Sequence, residues 1–185
     1  MSKNDHAQVG SKMDPQICAT CARESVTCCT LGSEATDTCF PLSRVEIESI
    51  RAFWPEKQGW FERAENSSTF RKHLFRLFPG EKKRVDELFP AKGTHNRLAV
   101  TAQGNCQFLS STGCALPRSI RPVFCRLYPF WVVWSKTTFF QAANCLAVQR
   151  RPTLLAVLEV LQVQEKDIHA LYDELRIKWG LEKRS

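Results

Sequence analysis

The sequence has no apolar run long enough to cross a membrane: the uncharged stretch 137–149 covers 13 residues, the longer one at 98–117 is interrupted throughout by Thr, Gln, Gly, Asn and Ser, and a spanning helix takes about 20 predominantly apolar residues. No secretory leader is expected either. Residues 1–10 read MSKNDHAQVG, with no apolar segment between a basic head and a cleavage site. These two absences lead to the expectation of a cytoplasmic protein without a membrane partner. There is no Gly-rich phosphate loop, internal repeat or low-complexity tract, which speaks against nucleotide-cradling and solenoid classes. No Ser/His/Asp arrangement or carboxylate pair stands out either, so any enzymatic activity would lie with a cofactor. What the 185 residues do hold is 43% hydrophobic content, enough for an ordinary packed core in one domain.

Nine cysteines carry most of the remaining information. An odd number in a chain read as cytoplasmic argues against a disulfide framework. Free thiols at this density invite oxidation unless something occupies them, and in a reducing compartment the usual occupant is a soft metal bound by thiolates. Five cysteines lie between residues 18 and 39 and four between 106 and 145, and the 66 residues from 40 to 105 contain none. Cys18-x2-Cys21 has the spacing of a chelate knuckle, in which both sulfurs reach one metal at about 2.3 Å. Cys28 and Cys29 are adjacent, and neighbouring side chains point apart in extended or helical chain. They therefore face two different centres, or one ligates and the other packs. In the second cluster, Cys106, Cys114, Cys125 and Cys145 are separated by 7, 10 and 19 residues. They can converge only through the fold, which excludes a zinc ribbon and the compact bacterial ferredoxin run.

For each cysteine the plain alternative is a buried small hydrophobe. Cys39, followed by Phe40-Pro41, has the weakest ligand context. Of the histidines, His95 in Gly93-Thr94-His95-Asn96 is the best candidate to complete a mixed site, and His6, His73 and His169 have no ligand-like neighbour.

The pattern along the chain predicts a small, mainly helical α+β domain with short β-hairpins, organised around a cysteine-ligated metal centre. Residues 1–15 read as a disordered arm, 16–150 as the cysteine-cluster domain with a cysteine-rich loop at its start, and 151–185 as helices packed on it. Ser43 with Glu46 offers a capping box, followed by Val45, Ile47, Ile50 and Trp54 at near-helical spacing. Phe70, Leu74, Leu77 and Phe78 form one helical face before Pro79-Gly80, and 81–89 adds a shorter amphipathic piece with Val85, Leu88 and Phe89. From Leu98 short strands and turns are expected, with Cys106 and Cys114 flanking a hairpin. One or two helical turns follow between Pro122 and Pro129. Phe130–Trp134 and Thr137–Ala142 read as another hairpin around Ser135-Lys136. From Pro152 on, two stripes predict two helices: Leu154, Leu155, Leu158 and Leu161, then Ile168, Leu171, Tyr172, Leu175 and Trp179.

Charge is uneven. Between Glu87 and Glu159 no acidic residue occurs in 71 positions, and eight basic ones do, so the remainder of this +7 chain balances to −1 (18 basic, 19 acidic). The surplus surrounds the second cysteine cluster. Thiolate-bound metal centres carry net negative charge, which nearby arginines offset. Arg121 and Arg126 bracket Cys125 and are the expected cofactor-binding pair. An anionic partner such as nucleic acid, or a merely solvated basic face, are the alternatives.

Cys18-x2-Cys21-x6-Cys28-Cys29, Cys106-x-Phe108-Leu109, Gly113-Cys114, Arg121-Pro122-x2-Cys125-Arg126-x-Tyr128-Pro129-Phe130 and Cys145 together resemble the YkgJ-type cysteine-cluster family, a zinc- or iron-chelating domain. The resemblance spans residues 16–148. It implies eight metal ligands: Cys18, Cys21, Cys28, Cys29, Cys106, Cys114, Cys125 and Cys145, with Cys39 outside the pattern. Six residues between Cys21 and Cys28 stand where the family has two. The family in turn resembles the cysteine-rich part of flagellin lysine methylases, where an iron–sulfur centre is implied, but no methyl-donor or acceptor site is recognisable here. Three readings follow. The first is an iron–sulfur or iron protein, [4Fe-4S] favoured, working in electron transfer or cofactor-dependent group transfer with a redox or protein partner. The second is a zinc-binding structural or metal-handling module. The third, ranked last, is a zinc-stabilised nucleic-acid binder. Thiolates alone do not separate iron from zinc.

Overall fold

The computed structural model describes residues 16–24, 27–31 and 39–183, so the expected N-terminal arm lies outside the described residues. The first element corrects the sequence reading. Cys18 and Cys21 sit not in a loop but on helix α1 (Gln16–Glu24), where residues three apart share a face. The segment QICATCARE contains no Gly or Pro and two alanines, so nothing in it opposes a helix. A turn over 27–30, closed by Thr30 N–H donating to Thr27 O at 2.9 Å, carries Cys28 and Cys29.

Strand β1 (Pro41–Leu42) leads into helix α2 (Arg44–Phe53) through the expected capping box. Ser43 Oγ accepts from Glu46 N–H, and the Glu46 carboxylate accepts from Ser43 N–H at 2.8 Å. Pro55 biases its predecessor away from helical geometry, and α2 stops at Phe53. Ile47 and Ile50 are buried, but Val45 is 54% exposed, because it lies two residues, about 200°, from Ile47 on the helical wheel.

Strand β2 (Phe61–Glu65), helix α3 (Ser68–Leu77), helix α4 (Lys82–Leu88) and strand β3 (Thr94–Leu98) follow. The expected face of α3 is buried throughout, at Phe70, Leu74, Leu77 and Phe78. Sequence patterning missed β1 and β2. They flank β3 in an antiparallel sheet of order β1-β3-β2, with Pro41 opposite Arg97 and Phe61 opposite Leu98.

Strands β4 (Leu109–Ser110) and β5 (Gly113–Cys114) form a small hairpin, with Cys106 just before it and Cys114 within it. Helix α5 (Val123–Leu127) is the short helix expected between the prolines, and Pro122 is its N-cap residue. Strands β6 (Phe130–Val133) and β7 (Lys136–Phe139) pair as a hairpin. Its turn falls on Trp134 and Ser135, both at positive φ, one residue earlier than expected. Helices α6 (Leu146–Arg150), α7 (Leu154–Val160) and α8 (Glu165–Lys178) complete the chain. Leu155, expected on the buried stripe of α7, is 77% exposed, and Val157 and Leu158 take the inner face. Leu154, Val157, Leu158 and Leu161 form one stripe at i, i+3, i+4 and i+7, and Leu155, about 100° from Leu154 on the wheel, falls off it. Helix α8 packs on α5 and β6. It is also tied to the start of α4 by Arg176, whose Nη1 and Nη2 donate to the two Glu81 carboxylate oxygens at 2.8 and 2.7 Å. Among the described residues no helix is long and apolar enough to cross a membrane.

The apolar interior has two parts. The larger gathers α3 to α8 with β6, around Phe78, Trp131, Ile168 and Tyr172. The smaller packs Leu42, Ile47, Ile50, Trp60, Cys106, Phe108 and Leu116. Leu42, Phe108 and Leu116 of the smaller part, and Phe130 and Ala147 of the larger, line one cavity.

Candidate metal centre

All nine cysteines line that cavity, whose volume is about 440 Å³. Residues from both ends of the chain are thus brought to one hollow. Among the described residues its lining includes no Asp or Glu, so its donors are almost entirely sulfur.

Backbone hydrogen bonds explain how distant cysteines meet. Cys106 N–H donates to Cys29 O at 2.7 Å, and Leu31 N–H donates to Gly104 O at 2.7 Å. Thr30 and Asn105 form an isolated bridge, reinforced by Thr30 Oγ1 donating to Asn105 Oδ1 at 2.9 Å. This strap needs glycine at 104: its φ is +78°, and a Cβ there would collide with the Leu31 carbonyl. Cys114 lies opposite Leu109, whose N–H donates to Cys106 O at 2.9 Å. Cys125 rides on α5, whose first N–H, that of Val123, donates to buried Glu46 Oε1 at 2.7 Å. On the other side, α1 packs against α6, where Cys145 is the N-cap residue, and Arg150 pairs with Glu24 at 3.0 Å.

The vicinal pair departs from expectation. Cys28 and Cys29 lie within a turn rather than in extended or helical chain, and their thiols hydrogen-bond each other. That hydrogen bond, followed by burial, raises the Cys29 thiol well above the usual range, and the Arg121 guanidinium opposes the rise. Burial pushes Cys106 up to about 12, with Cys29 and Cys114 adding repulsion. Cys125 is also raised, first by burial and then by Cys29, Cys106 and Cys114. It nonetheless retains accessible surface. A thiol is both accessible and desolvated when its open side faces an interior hollow. Burial raises Cys145 too, with Cys21 as its thiol neighbour. Cys39, given the weakest ligand context from sequence, lines the same cavity and repels Cys106.

Both expected arginines reach the cavity wall. Arg121 braces the hairpin, donating from Nε to Leu116 O at 2.8 Å and from Nη2 to Cys114 O at 3.2 Å. Arg126 pairs with Glu174 at 2.5 Å, and among the described residues its buried Nε has no hydrogen-bond partner. The basic stretch is not one open face: Arg97, Arg126 and Arg150 are each paired with a carboxylate from outside it.

Three wall residues were not singled out as site residues from sequence. His73 lines the cavity edge-on to Phe40, and among the described residues its buried Nε2 has no hydrogen-bond partner. Tyr128 Oη donates to Asn144 Oδ1 at 3.1 Å, and Asn144 Nδ2 donates to Thr27 O at 3.4 Å. The Tyr-Pro within the Arg121–Phe130 motif was the available signal for Tyr128. His73 and Asn144 had none. His95 is no ligand: it is buried in β3, stacked on Phe70 at 3.8 Å, with Nδ1 2.9 Å from Asn66 Oδ1.

Among the described residues, no three His, Cys, Asp or Glu side chains converge as they would around a single ion. A tetrahedral zinc needs four donors about 2.3 Å from one point. Sulfurs spread around a hollow match a polynuclear guest better, because each thiolate then binds its own metal atom. The donor chemistry therefore fits an iron–sulfur group, and the buried Arg126 Nε, with no partner among the described residues, offers a donor to an anionic one. No family model, curated protein or solved structure matches the chain.

Proposed function

We propose that this is a metal protein of the YkgJ-type cysteine-cluster kind, holding an iron–sulfur cluster or iron on clustered thiolates for electron transfer or cofactor-dependent group transfer. The observation that carries this reading is the lining of one cavity by all nine cysteines, drawn from segments separated by 66 cysteine-free residues. The eight motif cysteines would hold the group, and Arg121 and Arg126 would offset its negative charge. When bound, such a cluster supplies one-electron chemistry or a Lewis-acidic iron. The chain's own contribution is enclosure. Phe40, Phe124 and Phe140 wall the hollow on one side, which limits water and raises the weight of each nearby charge.

Anaerobic purification followed by absorption spectroscopy and metal and sulfide analysis tests the proposal. Iron with acid-labile sulfide and a broad band at about 400 nm is expected. A colourless protein with stoichiometric zinc would replace the iron reading with the zinc module, and a protein that takes up neither metal would overturn both.

A further inference from the structure

We infer that the thiols serve two centres rather than one, with Cys29, Cys106, Cys114 and Cys125 as one set, Cys18, Cys21, Cys28 and Cys145 as the other, and the Cys28–Cys29 peptide as the joint. This rests on the metal-binding reading above and adds the grouping of its ligands.

Three of the first set belong to the smaller apolar cluster, and Cys125 reaches them from α5, which packs in the larger one. Cys106 is buried in the smaller cluster, and Cys29 and Cys114 pack against it. Its members are linked through main chain, by Cys106 N–H to Cys29 O and by the hairpin that carries Cys114 beside the 106–109 turn. Arg121 grips the Cys114 carbonyl four residues before Cys125. The second set is held by the larger cluster, against which Ile17 and Cys145 pack. Cys18 and Cys21 share a face of α1, α1 packs on α6, and Cys145 starts α6. The Tyr128–Asn144–Thr27 hydrogen-bond chain fixes the segment just before Cys28 to the residue just before Cys145.

Electrostatic neighbours divide the same way. Cys125 faces Cys29, Cys106 and Cys114, whereas Tyr128 faces Cys28, Cys145 and Cys21. Cys29 also faces Cys21, and α1 packs on β5 as extensively as on α6, so the two sets adjoin along α1 and at the joint. Adjacent residues in a tight turn can serve two neighbouring centres without a long loop between them, which gives the vicinal pair a role that a single centre would not require.

The test counts metal in the full-length protein. Wild type, Cys18→Ser, Cys114→Ser and the double variant are reconstituted anaerobically with iron and sulfide, and far-UV circular dichroism checks the fold. Each single variant is expected to keep about half of the wild-type iron and sulfide, and the double variant essentially none. Loss of all metal from either folded single variant, or loss of none, would overturn the grouping while leaving the metal-binding reading intact. Wild type that loads no metal would overturn the reading itself. Should the variants not fold, cadmium-113 spectra of the unmutated protein decide: two separately filling groups of thiolate resonances are expected, and one group filling as a unit would refute the division.

Discussion

Glu46 is the residue whose loss the structure makes most costly without touching a thiol. It is buried, caps its own helix by accepting from Ser43 N–H and Oγ–H at 2.8 and 2.7 Å, and accepts at 2.7 Å from Val123 N–H, the first donor of the helix that carries Cys125. Val123 N–H has no partner within α5, because the first N–H groups of any helix point away from it. Replacing Glu46 by Ala leaves this buried donor unsatisfied, at about 1–3 kcal/mol, and removes the return half of the capping box, about 1 kcal/mol more. A destabilisation of about 2–4 kcal/mol is expected, a melting-temperature drop of about 4–16 °C for a chain of this size. Glu46→Gln should cost less but not nothing, because its amide turns one donor toward a group that is itself a donor. Differential scanning calorimetry of the metal-free protein reads the effect. Labelling should also show Cys125 reacting faster with a small maleimide in Glu46→Ala, as the start of α5 loosens. A melting temperature within about 1 °C of wild type, with unchanged Cys125 labelling, would refute the bridging role.

Three further outcomes can be checked with the same protein. Burial, with Arg97 nearby, lowers His95 to about 4 from 6.5, so between these values the unfolded chain binds the extra proton. Stability should therefore fall by about 3 kcal/mol as pH drops from 7 to 4, and the loss from this group levels off below that. Urea titrations across this range should show a shallower fall for His95→Gln, and an identical fall would remove His95 as the cause. Gly104→Ala forces positive φ on a residue with a Cβ and drives it into the Leu31 carbonyl, so a loss of about 2 kcal/mol is expected. Faster modification of Cys28 and Cys29 should accompany it. Arg176→Met strands Glu81 after removing a two-pronged pair, costing about 2–4 kcal/mol. Arg176→Met/Glu81→Gln should recover part of that loss in chemical denaturation, and strict additivity of the two changes would show that the pair is not coupled.

Local chemistry was legible wherever one segment carried its own instructions. Ser43 and Glu46 announced α2, the Phe70–Leu74–Leu77 stripe announced α3, and Pro122 and Pro129 bracketed α5. Strands β1 and β2 were not legible because neither carries an alternating pattern. Phe61–Glu65 shows no buried residue along its length, and its strand character comes from pairing with β3. Cys18-x2-Cys21 read as part of a loop because the spacing that suits a loop knuckle also places two residues on one helical face. The resemblance motif and the charge map pointed to the region around Cys125, where Arg121 and Arg126 line the cavity. The acidic partners of Arg126 and Arg150 lie 48 and 126 residues away, beyond anything periodicity reports. The proposed division of the cysteines was equally hidden, since it depends on contacts between segments far apart in the sequence, such as Cys106 N–H to Cys29 O.

Trp131 sits immediately behind the cavity wall. Its indole N–H is anchored on the Leu77 carbonyl at 2.9 Å, and its ring lies 6.0 Å from both Phe40 and Phe140. That position makes it a native optical gauge. A chromophoric guest whose absorption overlaps indole emission would drain the excited state of Trp131 by resonance transfer, whereas a transparent guest would leave its glow untouched, so filling could be followed in real time without attaching a dye.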